Sequence, residues 1–227
     1  MKLFGGTITI VALSAFLAAG ANARADLLQR VTIQDHYGTT NGGEFLATPI
    51  DFSFTPVRLN SAASGAFETF CLEVSENVAF GGTYWVELNT AAVQGGAGGG
   101  NPDPLDPLTA YLYRQFISGT LAGYDYALDD GGTARAASAD ALQRVIWYIE
   151  QETAMSWTPG DGSKSDLFYQ DALANAGPDI GEVRVLNLYN DAQGTSFAQD
   201  QLVLIPEPAS LLLLALGAAA ALRRGRF

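Results

Sequence analysis

Cys71 is the only cysteine in the 227 residues, so no disulfide can form within the chain, and its neighbours decide what else the sulfur can do. It lies in the stretch Phe67-Glu68-Thr69-Phe70-Cys71-Leu72-Glu73-Val74, and a second stretch of interest, Leu142-Gln143-Arg144-Val145-Ile146-Trp147, follows much later. A thiolate held against a desolvated glutamine carboxamide can displace ammonia and leave an internal thioester, an acyl group far more reactive than the amide it replaced. An incoming amine or hydroxyl would then be joined covalently to the former Gln143 side chain, provided apolar packing excludes water in the meantime. Glu73 is the nearest candidate for proton transfer, and Trp147, one turn beyond Gln143, is a candidate shield. The chemistry requires the Cys71 sulfur within bonding reach of the Gln143 side-chain carbonyl. The bland alternative makes Cys71 a packed small hydrophobe and Gln143 an ordinary helix residue.

Other chemistries have fewer residues to work with. His36 is the single histidine, which leaves no His-based triad and no His-rich zinc site, so neither a metal nor a cofactor is expected. Asp125, Asp129 and Asp130, or Asp161 and Asp166, do not follow a calcium-loop spacing. Glu73 and Glu150 could act as the acid and base of a matrix-polysaccharide hydrolase. Tyr84, Trp85, Tyr111, Tyr113 and Trp157 could stack on sugars, although such residues more often fill cores.

The elements that must position these residues follow from periodicity. On a strand spanning residues 65–78, Phe70, Leu72 and Val74 share one face while Thr69, Cys71 and Glu73 share the other. A helix over 139–152, capped by Ser138 or Asp140, buries Leu142, Val145, Ile146 and Ile149. Gln143, Trp147 and Glu150 form a flanking stripe on it, so a helix laid across the strand can bring Gln143 to Cys71. Further strands are expected over 28–34, over 44–54 with a break near Pro49, over 83–88 returning antiparallel to 65–78, and over 183–188 and 201–205. Helices are expected over 108–117 and 163–176, and the glycine-rich segment 95–107 reads as a loop. Strands, then helices, then strands imply an α+β domain, a β-sandwich or barrel-like structure interrupted by a helical segment.

Both ends stand apart from that domain. Lys2, the apolar run 8–17 and the small residues Ala21, Ala23 and Ala25 have the layout of a secretory signal peptide over residues 1–25. Residues 26–205 form the domain, and 206–227 form a tail. The 14 uncharged residues 209–222 would make a helix of about 21 Å, short for a membrane core of about 30 Å and suited to transient anchoring. Removing both ends reduces the 12 basic residues to 7 and the 24 acidic ones to 23, a net charge near −16. Such a domain repels nucleic acid and anionic membranes.

Pro206-Glu207-Pro208, the apolar stretch and Arg223-Arg224 resemble the PEP-CTERM sorting signal of Gram-negative bacteria. That resemblance implies an exosortase-type processing enzyme as partner, a precursor held in the inner membrane through its C-terminal transmembrane helix, and a final place at the cell surface or in an exopolysaccharide-rich biofilm matrix. Phe70-Cys71-Leu72 and Leu142-Gln143-Arg144-Val145-Ile146-Trp147 resemble the paired motifs of bacterial thioester domains, with Leu142 and Val145 standing where that family often has Thr and Ala. Tyr111-Leu112-Tyr113 and Gln199-Asp200-Gln201-Leu202 are similar to features of thioester-type PEP-CTERM proteins. The resemblance implies adhesion through a Cys71–Gln143 thioester, used once rather than catalytically, to an extracellular polysaccharide or surface protein. The alternative is a non-covalent matrix protein with an inert cysteine.

Overall fold

The computed structural model describes residues 27–38, 42–59, 65–128, 131–152 and 157–206. Alternating side chains build the first strands. In β1 (Arg30–Tyr37), Val31 and Ile33 are buried while Gln34 and Asp35 are exposed, and β2 (Glu44–Ile50) pairs with it antiparallel. There follow β3 (Phe67–Thr69), β4 (Thr83–Asn89), the short β5 (Ala91–Ala92) and β6 (Asp103–Pro104), helices α1 (Pro107–Ile117), α2 (Thr133–Ile149) and α3 (Lys164–Asn175), then β7 (Val183–Tyr189) and β8 (Phe197–Leu204).

The main sheet has six strands in the order β3-β2-β1-β4-β7-β8, and each neighbouring pair is antiparallel. Its two edges come back to each other. After Thr69 the chain leaves β2 and turns to β8: Leu202 N–H donates to Phe70 O at 3.0 Å, Leu72 N–H donates to Asp200 O at 3.1 Å, and Cys71 faces Gln201 across an isolated antiparallel bridge. The Thr69 hydroxyl adds a bond to Leu202 O at 2.7 Å. The sheet therefore curls until its edges touch at one bridge, without a ladder that would close it into a barrel.

Two apolar cores result. One is enclosed by the curl and holds Val31, Ile33, Phe45, Phe67, Val86 and Leu188 together with Cys71 and Trp147. The other lies under the helices, where Leu112, Phe116, Leu142, Val145, Ile146 and Phe168 pack on Phe70, Leu72, Val185 and Leu202. Full burial of each such aliphatic or aromatic side chain contributes about 1.5–3 kcal/mol. Leu142, Val145, Ile146 and Ile149 are the expected stripe of α2, and Gln143 and Trp147 leave it on the flank that reaches Cys71.

Local signals set most ends. Asp106 caps α1 by accepting from Leu108 N–H at 2.7 Å, with Pro107 in the first position, and Ser163 caps α3 through Asp166 N–H at 3.2 Å. The start of α2 differs from expectation. It begins at Thr133 behind a left-handed Gly132, and the Ser138 hydroxyl bonds back to Ala134 O inside the helix.

Other expectations are corrected as well. The long strand over 65–78 is three residues of β3 plus the bridge at Cys71, because the chain changes partner at Phe70 and residues beyond Leu72 turn to meet the side chains of Glu152, just past α2, and of Gln199 in β8. β4 does not return beside it but pairs with β1 and β7. Pro49 does not break β2, which runs on to Ile50 and ends at Asp51 with φ of 59°. Among the described residues, one curled six-stranded sheet with helices against it, and a separate two-stranded pair of β5 and β6, stand where a sandwich or barrel was expected. Among the described residues no helix is long and apolar enough to cross a membrane. The signal-peptide reading of residues 1–25, and the parts of the tail reading that rest on Glu207, Pro208, the apolar stretch, Arg223 and Arg224, lie outside the described residues.

Candidate functional site

Cys71 and Gln143 meet where the sheet's edges touch. The thiol of Cys71 donates to Gln143 Oε1 at 3.3 Å, the backbone N–H of Cys71 donates to the same oxygen at 3.2 Å, and Gln143 Nε2 donates to Cys71 O at 2.8 Å. A third donor, Gly43 N–H, stands at 3.5 Å from Oε1. The carbonyl carbon lies one bond of about 1.2 Å from that oxygen, so the sulfur is within about 4.5 Å of the atom it would attack. Donors crowded on Oε1 draw electrons from the carbonyl and leave its carbon more electrophilic.

The site is dry. Cys71 is 0% exposed, Gln143 1% and Trp147 9%. A Cβ added to Gly42 would meet Gln143 Cγ at 2.5 Å and collide with the Trp147 ring, so glycine at this position lets the backbone before β2 lie directly on both side chains. Beyond Trp147 a cavity of about 310 Å³ opens, lined by Phe45, Val74, Asn77, Val78, Phe80, Trp147 and Gln199.

Two carboxyl groups, Glu73 and Glu152, act electrostatically on the sulfur. Burial pushes the Cys71 thiol well up, and the nearby Glu73 pushes it further, while the Trp147 indole N–H, which has no other hydrogen-bond partner of good geometry, acts in the opposite direction. Glu73 is itself 1% exposed rather than the solvated carboxylate its place beside a strand suggested. Its Oε2 accepts from Asp200 N–H at 3.0 Å, and its Oε1 has no partner. Burial first, then the charges of Asp200 and Glu76, raise its pKa well above the carboxylate range. Asp200, raised to about 7 by burial, accepts from Leu188 N–H, Val93 N–H and Asn187 Nδ2. Of the two, Asp200 has more donors that favour charge, and Glu73 is the one pushed further toward its neutral form. Glu76 is raised to about 7 by burial and by Glu152. Glu152 accepts from Val74 N–H at 3.0 Å and sits so tightly on Gly96 that any side chain there would strike it, which explains part of the glycine run beginning at Gly95.

An ion pair fixes the helix against the hairpin. Arg135 of α2 grips Glu44, the first residue of β2, through Nε at 3.0 Å and Nη2 at 2.6 Å, and Tyr124 and His36 also bond that carboxylate at 2.8 and 2.9 Å. Arg135 and Gln143 thus hold successive residues, Glu44 and Gly43. Nothing in the sequence distinguished Arg135, Glu44 or Gly42-Gly43 as parts of a site; the glycine pair before a strand reads only as a turn.

Remaining candidates have structural work. Glu150, raised to about 8 by burial, accepts from Asp106 N–H at 3.3 Å and ties the end of α2 to the start of α1. Asp161 and Asp166 accept backbone N–H groups of Thr158, Ser163, Gly160 and Gly162 within one turn. Of the aromatic residues, Tyr84, Tyr113 and Trp157 are buried, and Trp85 stacks under Arg30 at 5.3 Å. Among the described residues, no group of three or more histidine, cysteine, aspartate or glutamate side chains is arranged to hold a metal ion.

The family model of the PEP-CTERM protein-sorting motif matches residues 204–226, about a tenth of the chain. The motif is one that exosortase-type processing enzymes recognise, and it implies export, a membrane-anchored precursor and sorting to the surface. It begins inside β8: Leu204 O accepts from Val57 N–H at 2.8 Å, and Ile205 N–H donates to Glu182 O at 3.1 Å. Neither a search of curated proteins nor one of solved structures returned a match.

Proposed function

We propose that this exported chain is a single-use covalent attachment protein of the cell surface or extracellular matrix, armed by an internal thioester between Cys71 and Gln143. The observation that carries the reading is the Cys71 sulfur 3.3 Å from the Gln143 carbonyl oxygen in a site closed to water. In the forming step, Cys71 Sγ bonds to Gln143 Cδ, the bond from Cδ to Nε2 breaks, and the thiol proton leaves with the nitrogen as ammonia. In the attachment step, an amine or hydroxyl of a surface protein or extracellular polysaccharide bonds to Cδ, and the sulfur departs and regains a proton.

Glu73 is suited to supply that last proton. A buried carboxyl that holds its proton at neutral pH is an acid beside a leaving thiolate, whereas an ionised one would only repel it. Trp147 excludes water from the bond, and the cavity beyond it gives an acceptor a route to the site. The protein is consumed as it reacts, so it is a reactant rather than an enzyme, and it needs no cofactor.

Labelling tests this directly. Purified protein incubated with methylamine should carry one methylamide, found on the peptide containing Gln143, and Cys71→Ala protein should carry none. A rival reading, a non-covalent matrix protein, rests on the bond from Gln143 Nε2 to Cys71 O at 2.8 Å, since an amide that satisfies a strand's backbone has a use without any reaction. Absence of label at Gln143 in the wild-type protein would favour that rival.

A further inference from the structure

Gln143 Oε1 receives backbone N–H groups from two separate parts of the fold, Cys71 at the bridge between β3 and β8 and Gly43 just before β2. This oxygen is the atom that gains negative charge when a nucleophile adds to Gln143 Cδ. It does so twice, once when the sulfur attacks the amide and once when an acceptor attacks the thioester. We propose that the backbone N–H groups of Cys71 and Gly43 form an oxyanion hole for both steps, with Gly42 positioning the Gln143 side chain against it. The inference rests on the thioester reading and adds to it the groups that lower the barrier.

The distances suit that role. Donors that stabilise an oxyanion belong about 2.7–3.1 Å from the place the charged oxygen will occupy, rather than from the ground-state carbonyl. Here the resting amide oxygen lies 3.2 Å from Cys71 N and 3.5 Å from Gly43 N. The second bond is slack in the ground state. It has room to shorten as the carbon becomes tetrahedral and the oxygen swings out of the amide plane, and only interactions that strengthen toward the transition state accelerate a reaction. Burial of Gln143 to 1% exposure removes competing water, so the two N–H dipoles act at low dielectric.

Glycine is required at both positions, at Gly43 by the backbone and at Gly42 by the side chain that carries the oxygen. Gly43 has φ of +126°, where residues with a side chain are strained, and a Cβ there would meet Tyr37 O at 2.8 Å. A Cβ on Gly42 would press on Gln143 Cγ at 2.5 Å and push the carbonyl off its donors. The next residue, Glu44, is clamped to α2 by Arg135, so the donor and the helix that carries its oxygen are fixed to each other before any reaction begins.

The test is kinetic. Wild-type, Gly43→Ala and Gly42→Ala proteins are refolded from denaturant, and loss of ammonia is followed by intact mass; methylamine opening of the product is timed separately. Displacing one donor should slow both steps by about 100-fold. Thermal melts of each variant in the Cys71→Ala background show whether it is folded. A folded Gly43→Ala protein that forms and opens its thioester at wild-type rates overturns the hole and leaves the thioester standing. Wild-type protein that never loses ammonia overturns both. A second measurement serves if the glycine variants do not fold: in Cys71→Ala protein, adding Gln143→Ala should speed hydrogen exchange at the residue 71 and Gly43 amides at least about tenfold. This follows because a lost hydrogen bond leaves a backbone N–H open to solvent exchange. Unchanged exchange at both amides overturns the proposal.

Discussion

At the scale of single residues, the account turns on which groups hold protons at neutral pH. Burial, then the charges of Asp200 and Glu76, raise the Glu73 pKa well above the carboxylate range, and in the proposed mechanism that suits it to return a proton to sulfur. Glu73→Gln retains the shape and hydrogen-bonding of the neutral acid but has no proton to give up, so methylamine opening should slow by about 100-fold while the melting temperature changes little. An equal rate in the two proteins, followed by mass, would show that the proton comes from elsewhere. Glu150, raised to about 8, makes a contrasting case. That shift favours the neutral form at pH 7, in which Glu150 still accepts from Asp106 N–H, so Glu150→Gln should cost less than about 1 kcal/mol in urea unfolding. A loss of several kcal/mol would mean that the carboxylate is charged in the folded state.

At the scale of elements, α2 does two jobs: Gln143 meets Cys71, and Arg135 holds Glu44 at the start of β2. Removing one partner of a buried ion pair strands the other charge, so Arg135→Ala should destabilise the domain by about 3–5 kcal/mol in denaturant unfolding. A change below about 1 kcal/mol would show that the pair does not lock the helix to the hairpin. The apolar stripe of α2 and the alternation of Phe70, Cys71 and Leu72 were legible in the sequence, because helix and strand periods act over a few neighbouring residues. What could not be read depends on distant partners. Periodicity makes 65–78 one long strand, but β8 takes over pairing at Phe70, and nothing within the stretch announces that exchange. The buried Glu44–Arg135 pair was invisible for the same reason, since either residue alone looks like surface charge. Cys71 and Gln143 could be paired from the sequence because that combination is chemically rare, and the fold brings them into contact, while Gly42-Gly43 looked like any turn.

At the scale of the whole molecule, several buried or half-buried carboxyls that ordinarily ionise near pH 4 bind protons more tightly in the folded domain. Glu76 and Asp200 are raised to about 7 and Glu150 to about 8, each chiefly by burial. A carboxyl whose folded pKa is raised binds its proton more tightly in the folded state, so its contribution is complete below the unfolded pKa and is lost as pH climbs through the folded one. The domain should therefore melt at a higher temperature at pH 5 than at pH 9; a melting temperature that is flat or rises over that range would contradict the proton placement. The fold encloses Cys71 where the two edges of its sheet touch, and the sorting motif starts within the last strand of that sheet. The most direct measurement is the intact mass of the purified wild-type protein, with thiol titration in denaturant, before and after methylamine. The thioester predicts a mass one ammonia lighter than the sequence and no titratable thiol, then one thiol and one added methylamine; a mass equal to the sequence with a thiol titratable from the outset would contradict it.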